Sequence, residues 1–220
     1  MTLDSDLLNL VREAREKAGK RNFKQSVDLI LVLKDIDVKK GFSINEVVAL
    51  PNAPNKKAKV CVIASGDLAL RARRTNADKV IEGTELSTLA NNKREAKKLS
   101  REYDFFLADT QLMPTVGKVL GPVLGPKGKM AMPLPFNAPV DTMLDRLRAS
   151  TRARTRNQLM VACRIGDEDM DDKMLAENAM AVINAVEKKL PAGERNIAEI
   201  MLKFTMGKVA RLMPEKVIAR

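Results

Sequence analysis

The chain contains no histidine and no tryptophan, and it has only one tyrosine, six phenylalanines and two cysteines in 220 residues. The lack of histidine excludes serine-histidine and cysteine-histidine nucleophile pairs, histidine general bases and most catalytic zinc sites. The scarcity of aromatic rings leaves few platforms on which nucleic-acid bases could stack. An enzyme with this composition would therefore have to work through carboxylates, lysine or a cofactor.

Long hydrophobic runs are also absent. No stretch approaches the ~18 consecutive apolar residues of a membrane helix, and the N-terminal segment MTLDSDLL lacks the basic and then apolar pattern of a signal peptide. Cys61 and Cys163 each lie in a short apolar run without CxxC spacing, which indicates buried thiols in a reducing compartment. We expect a cytoplasmic protein without membrane contact.

Positive charge is abundant. The 39 lysine and arginine residues exceed the 28 acidic residues, which gives a formal charge of +11 and a pI near 9.7. The basic residues are spread along the chain and do not form a tail, so a polyanionic partner is expected to contact a broad surface. With few aromatic residues, contacts to phosphate and ribose are favoured over base stacking.

Residues 58–151 alternate short apolar strands with helical stretches, a pattern typical of βαβ units around a parallel sheet. Residues 1–57 and 152–220 each supply a helix and strands, but neither segment encloses a core by itself. We predict two domains of α/β and α+β class. A Rossmann-like three-layer α/β domain, residues 58–151, is expected to be inserted into a discontinuous α+β domain formed by residues 1–57 and 152–220.

The inserted segment has no complete nucleotide-binding motif. Gly66 stands alone after the first predicted strand, so the GxGxxG fingerprint is missing. In the stretch after Gly121, Val123 and Met130 occupy positions where a P-loop requires glycine and serine or threonine. The glycine- and proline-rich loop 121–135 either covers a sheet edge or contacts a partner. An enzyme or sensor that holds a nucleotide or a phosphorylated ligand remains the alternative function, and a nonspecific nucleic-acid binder is a third.

Two stretches in the flanking segments have the character of a contact surface. A basic turn, residues 20–26, leads into a predicted strand, and Phe23 in this turn either anchors the first helix or contacts RNA. Near the C-terminus, Thr205, Met206 and Gly207 interrupt a strand-like run, which indicates either an exposed strand end or a hairpin bend or bulge with Met206 in the core. The arginine-rich stretch 150–157 is either a solvated turn or a phosphate contact.

Three of these motifs together, Arg21-Asn22-Phe23, GPVLGPKGKMAMP from Gly121 to Pro133, and Thr205-Met206-Gly207, resemble the family of the large-subunit ribosomal protein number one in its archaeal form. The resemblance covers essentially the whole chain. It implies a two-domain protein that binds a folded segment of large-subunit ribosomal RNA and forms the mobile stalk beside the transfer-RNA exit site. It also implies repression of translation by binding the protein's own messenger RNA, contact with exit-site transfer RNA, and a monomeric state off the ribosome. From the resemblance we expect the discontinuous domain to bind the RNA, and we expect no catalytic residue, no metal site and no cofactor.

The resemblance assigns RNA contact to two groups of residues. Phe23, Ser26 and Asp28 match the family's contact turn and strand start, and Thr205, Met206 and Gly207 match its triplet. The family often has a lysine where this chain has Asn22, so Arg21 or Lys24 is expected to supply that charge. The full predicted RNA-binding set is Arg21, Phe23, Lys24, Ser26, Asp28, Thr205, Met206, Gly207 and Lys208. The candidates for a secondary RNA or interdomain contact are Lys127, Lys129, Arg154 and Arg156.

Overall fold

The computed structural model describes residues 3–36, 42–75, 77–155 and 158–213. By its internal contacts the chain divides into two compact units, one formed by residues 1–56 and 149–220 and the other by residues 57–148. The predicted fold class is confirmed, because an antiparallel sheet built from N- and C-terminal strands accompanies an inserted parallel sheet. Within the described residues, no helix is both long and apolar enough to cross a membrane.

The elements of the first unit are α1 (Leu3–Glu16), β1 (Ser26–Leu33), β2 (Asn45–Ala49), β7 (Ser150–Arg154), β8 (Met160–Asp167), α7 (Asp172–Glu187), a 3₁₀ turn (Gly193–Asn196), β9 (Ile197–Phe204) and β10 (Ala210–Leu212). They form a four-stranded antiparallel sheet in the order β10-β9-β1-β8 and a separate two-stranded ladder of β2 with β7.

Strand β1 is an inner strand of this sheet, and its sequence SVDLILVL explains why one face of the sheet is buried. Val27, Leu29, Leu31 and Leu33 alternate along the strand and are buried, because side chains two residues apart share one face. They belong to a core cluster that includes apolar residues of α1 and α7. The opposite face, which begins with Ser26 and Asp28, is only half buried.

The elements of the second unit are β3 (Val60–Ile63), α2 (Gly66–Arg74), β4 (Lys79–Ile81), α3 (Gly83–Asn91), α4 (Lys93–Glu102), β5 (Phe105–Asp109), α5 (Met113–Leu124), β6 (Met132–Leu134) and α6 (Val140–Arg148). The strands form a parallel sheet in the order β4-β3-β5-β6. Every residue of the two central strands is buried, as expected when helices cover both faces of a parallel sheet.

The structure differs from the sequence-based expectation in several elements. Residues 121–124 are not loop but the last turn of α5, which continues past Pro122. Residues 150–154 are not a turn but strand β7, in which Arg152 and Arg154 pair with Val47 and Asn45 of β2. Between β4 and β5 the chain forms two helices, α3 and α4, which are separated at Asn92. The Asn92 side chain accepts a hydrogen bond from the Glu95 N–H (3.2 Å).

Candidate nucleic-acid interface

Thr205, Met206 and Gly207 form a turn that joins two strands of the antiparallel sheet. Strand β9 ends at Phe204, and β10 pairs back onto it, with Ala210 opposite Leu202. The N–H of Gly207 donates to the carbonyl of Phe204 (2.9 Å), which closes the turn. Of the two predicted alternatives, the triplet forms the hairpin bend. Met206 is 59% exposed, so the burial of its side chain in the core, which was predicted together with that bend, is wrong.

Thr205 is bound to the first residue of β1. Its N–H donates to the carbonyl of Ser26 (3.0 Å), while the N–H of Ser26 donates to the Thr205 hydroxyl oxygen (3.0 Å). The same hydroxyl lies within donating distance of the Ser26 carbonyl (3.2 Å). The hydroxyl group thus fixes the position of the turn relative to β1, and one of its two lone pairs is left to accept a further hydrogen bond.

Gly207 is placed where a side chain would not fit. A Cβ atom at this position would lie 2.9 Å from the Cα of Ala18 and 3.4 Å from its Cβ. The neighbouring Lys208 N–H donates to the carbonyl of Lys17, just after the end of α1 (3.4 Å). Glycine is therefore required here by the close approach of two backbones.

Gln25 also belongs to this region, although no pattern in the sequence selects it. Its side chain is fully buried; the amide nitrogen donates to the Gly19 carbonyl (3.1 Å), and the amide oxygen accepts from the Met206 N–H (3.2 Å). The Gln25 main chain exchanges hydrogen bonds with Glu168, with its N–H donating to the carboxylate (3.0 Å) and its carbonyl accepting from the Glu168 N–H (2.9 Å). This amide connects the basic turn to the Met206 turn.

The structure brings eight of the predicted residues into these two adjoining turns, which we call the turn surface. They are Arg21, Phe23, Lys24, Ser26, Thr205, Met206, Gly207 and Lys208. Phe23 is 50% exposed, and Arg21, Lys24 and Lys208 are also exposed. Lys24 pairs with Asp169, and the hydrogen bond to that carboxylate, together with its charge, raises the pKa of the Lys24 ammonium group. The turn surface thus carries exposed apolar and cationic groups on a hydrogen-bonded backbone.

Asp28, the remaining residue of the main predicted set, lies two residues beyond Ser26 on the half-buried face of the sheet. It is directly opposite Arg164 of β8 and Lys203 of β9. Burial raises the pKa of the Asp28 carboxyl, and the charges of Lys203 and Arg164 oppose this shift. Asp28 therefore places a carboxylate between two cations at the edge of the turn surface.

The secondary candidates occupy different environments. The Lys127 ammonium donates to the Ser100 hydroxyl, and the Lys129 ammonium donates to the Tyr103 carbonyl (2.7 Å), so both bind the loop after α5 to the end of α4. Burial, followed by the charges of Lys129 and Arg101, lowers the pKa of Lys127. Arg154 lies in β7, and Arg156 lies outside the described residues. An RNA contact by Lys127 or Lys129 would compete with these internal bonds.

The comparisons with known proteins agree with one another and identify one protein family. The sequence profile of the Ribosomal protein L1p/L10e family matches residues 13–208, a range that includes the whole turn surface. The chain is 51% identical over 96% of its length to the large ribosomal subunit protein uL1 of Cenarchaeum symbiosum, of which it covers 97%. It is 50% identical to uL1 of Thermofilum pendens, covering 90% of this chain and 88% of that protein. For uL1 of Methanothermobacter thermautotrophicus, the identity is 42%, over 96% of this chain and 100% of the relative.

Proposed function

The chain belongs to the Ribosomal protein L1p/L10e family, and from that premise we propose that its turn surface binds a folded segment of large-subunit ribosomal RNA. As a ribosomal protein it is not an enzyme, and the alternative of a nucleotide-dependent enzyme or sensor is set aside. We propose further that residues 1–57 with 152–220 act as the RNA-binding domain, while residues 58–151 serve the mobile stalk beside the transfer-RNA exit site.

The main observation behind this proposal is the way Met206 is presented. A large apolar side chain is 59% exposed at the tip of a turn whose backbone is held by the buried amide of Gln25. The adjacent glycine allows the turn to approach Ala18 closely. Exposure of an apolar group on a fixed backbone is typical of a surface that is covered by a partner.

The chemistry of the turn surface suits double-helical RNA better than stacked single-stranded bases. The wide and shallow minor groove of RNA presents ribose hydroxyls and sugar edges, which are recognised through shape, hydrogen-bonding groups and close apolar contact. Met206 and Phe23 offer the apolar contact, while Arg21, Lys24 and Lys208 are placed to meet phosphates. The free lone pair of the Thr205 hydroxyl and the Asp28 carboxylate can accept hydrogen bonds from ribose hydroxyls.

The proposal is tested by replacing Met206 with aspartate, which puts a negative charge where RNA would approach. Affinity for a large-subunit RNA fragment and for a random duplex would be measured at two salt concentrations. We expect Met206→Asp to weaken binding to the ribosomal fragment by at least about tenfold, or ~1.4 kcal/mol. The matched control is Met213→Asp, since Met213 is also exposed (49%) but lies beyond β10. Equal affinity of Met206→Asp and wild type, with both proteins folded, would reject the site.

The same surface is proposed to bind the protein's own messenger RNA and so to repress its translation. If one surface serves both RNAs, the messenger fragment and the ribosomal fragment compete, and Met206→Asp loses both. A translational reporter carrying the protein's own messenger leader would be repressed by wild type and not by Met206→Asp. Repression that survives this substitution would show that messenger binding, where it occurs, uses another surface.

Contact with transfer RNA at the exit site is the third partner in the proposal. It is supported by the family's ribosomal role and by the inserted unit, which is joined to the rest of the chain by two chain crossings near residues 56 and 148. Ribosomes carrying wild type or a chain without the inserted unit would be compared for exit-site transfer-RNA occupancy. Unchanged occupancy in the shortened chain would oppose the assignment of this contact to residues 58–151.

A further inference from the structure

A groove in the second unit lies outside every site discussed so far. It has a volume of about 440 Å³ and is formed by helices α3, α4 and α5. Its apolar lining includes Leu89, Val119 and Val123, and its charged lining consists of Lys93, Lys97 and Lys118. The volume is in the range of about 300–1,000 Å³ that is usual for binding pockets. We refer to it as the lysine groove.

The lysines of this groove are not neutralised inside the protein. All three are exposed, and none forms an ion pair with any described residue. Among the described side chains that line the groove, none is acidic. Three like charges around one concave surface repel one another, and this repulsion is relieved when an anionic partner binds.

The floor of the groove distinguishes between classes of anionic partner. Its described lining is aliphatic apart from the lysines and includes no aromatic ring, guanidinium, hydroxyl or amide side chain. A nucleic-acid base would therefore find no ring to stack on and no side-chain group other than the lysines to read its edge. Aliphatic side chains of a partner, in contrast, would be stabilised by packing against this floor, because their apolar surface would be removed from water.

These observations together favour a protein partner. We infer that the lysine groove binds an acidic amphipathic helix, whose apolar face contacts Val119 and Val123 and whose carboxylates pair with Lys93, Lys97 and Lys118. This is the helix-in-groove mode of recognition, in which apolar anchors recur every three or four residues. The groove would give the ribosomal chain a protein-binding site separate from its RNA-binding turn surface.

The test uses the full chain and three fluorescent probes in anisotropy titrations. The first is a capped helical peptide of about 14 residues with leucine at every third or fourth position and glutamate and glutamine elsewhere. The second has the same composition in an order that distributes leucine around the helix. The third is an oligouridylate of similar net charge. We expect the amphipathic peptide to bind at least about tenfold more tightly than the other two.

Variants then locate the binding site. Lys97→Glu combined with Lys118→Glu is expected to weaken peptide binding at least about tenfold, whereas Lys98→Glu changes it less than about twofold. Lys98 is the matched control, because it is an exposed lysine next to Lys97 on α4 that does not line the groove. Ala90→Glu, which adds a carboxylate to an exposed position of the lining, should weaken binding several-fold, and Met206→Asp should leave it unchanged.

Several results would overturn the inference. Absence of peptide binding, equal binding of the two peptides, or an equal loss for Lys98→Glu would remove the groove as a helix site. If the charge-reversed double variant instead loses oligouridylate and the peptide does not bind, the lysines are an RNA contact. Since Met206→Asp reports on RNA binding by the other unit, failure of the proposed function and failure of this inference are distinguishable.

Discussion

The turn surface and the loop after α5 have similar compositions, but their lysines differ in their contacts. Lys208 of the turn surface is exposed, whereas Lys127 and Lys129 of the loop form hydrogen bonds inside the second unit. Both combine glycine with lysine and a nearby methionine. In the turn surface, buried groups such as Gln25 hold the backbone, and Met206, Phe23 and Lys208 are left exposed. In the loop after α5, Lys127 and Lys129 hold the backbone themselves, by donating to Ser100 and to the Tyr103 carbonyl.

This contrast shows that a lysine in a glycine-rich segment does not by itself indicate a binding site. What distinguishes the two regions is which groups form the internal hydrogen bonds that hold the segment in place. Where the fold supplies an internal donor and acceptor, exposed side chains remain available for a partner. Where the lysines supply the donors, release for a partner costs the internal hydrogen bonds. Four sets of substitutions test this contrast.

The largest effect is expected for Gly207→Ala. The new Cβ would lie 2.9 Å from the Ala18 Cα, so the turn or the end of α1 must move. We expect the free energy of unfolding to fall by about 2 to 3 kcal/mol, and RNA affinity to fall with it because Met206 is displaced. Urea denaturation and RNA titration measure the two effects.

Gly117→Ala is the matched control for that substitution. Gly117 lies within α5, and a Cβ there meets nothing within 4 Å outside the residues next to it. Because alanine favours helix over glycine, this change should stabilise the chain by about 0.5 to 1 kcal/mol. A similar loss of stability in both variants would show that close approach to Ala18 is not the reason for the glycine at position 207.

A slightly smaller effect is expected for Gln25→Met, which keeps the length of the side chain and removes its amide. The Gly19 carbonyl and the Met206 N–H then lose their partner inside the protein, at a cost of about 2 kcal/mol. RNA affinity should fall as well, since the backbone of Met206 is no longer held. Gln158→Met provides a control at an exposed glutamine. If Gln25→Met bound RNA as tightly as Gln158→Met does, the positioning role of Gln25 would be rejected.

Much of the fold could be predicted because it follows from periodicity. The alternating pattern of β1 and the short apolar runs of β3 and β5 are local signals, and each of these segments is a strand in the structure. The resemblance also named residues that the structure places in the two adjoining turns. Neither periodicity nor the resemblance could predict the role of Gln25. A glutamine in a basic turn is expected to be exposed, and its burial depends on contacts between distant parts of the chain.

Two of the incorrect element predictions have different causes, a tertiary pairing in one and the position of a proline within a helix in the other. The arginines of residues 150–154 suggested a turn, but pairing with β2 gives the segment a partner for its backbone. Residues 121–124 were expected in the glycine- and proline-rich loop, but Pro122 is part of α5. It lies near the end of α5, where the loss of one backbone hydrogen bond is tolerable, and the Gly125 N–H still donates to Gly121 (2.8 Å).

A smaller effect is expected for Lys127→Met and Lys129→Met, which test the other side of the contrast. Each removes a hydrogen bond within the second unit, and we expect stability to fall by about 1 kcal/mol with RNA affinity changed less than about twofold. Arg21→Met and Lys208→Met should behave in the opposite way, with weaker RNA binding and little change in stability. If Lys127→Met lowered RNA affinity as much as Lys208→Met, the contrast between the two regions would fail.

The smallest effect is expected for Asp28→Asn, and it depends on pH. Burial raises the pKa of the Asp28 carboxyl in the folded chain, so the folded state holds this proton more tightly than the unfolded state does. The charged carboxylate therefore lowers stability at neutral pH, and this penalty disappears as the pH falls through the raised pKa to below the ordinary carboxyl value. Asp28→Asn removes the penalty, so the variant should have the higher urea midpoint at pH 7.5.

The advantage of Asp28→Asn should vanish near pH 3.5, where the wild-type carboxyl is also largely protonated. Urea midpoints of both proteins at the two pH values measure this difference, with Asp145→Asn as a control at an exposed carboxylate (80%). A variant that is less stable than wild type at pH 7.5 would mean that attraction from Arg164 and Lys203 outweighs burial. Asp28 would then be a stabilising ion-pair residue of the sheet, and its place at the edge of the turn surface would have a structural explanation.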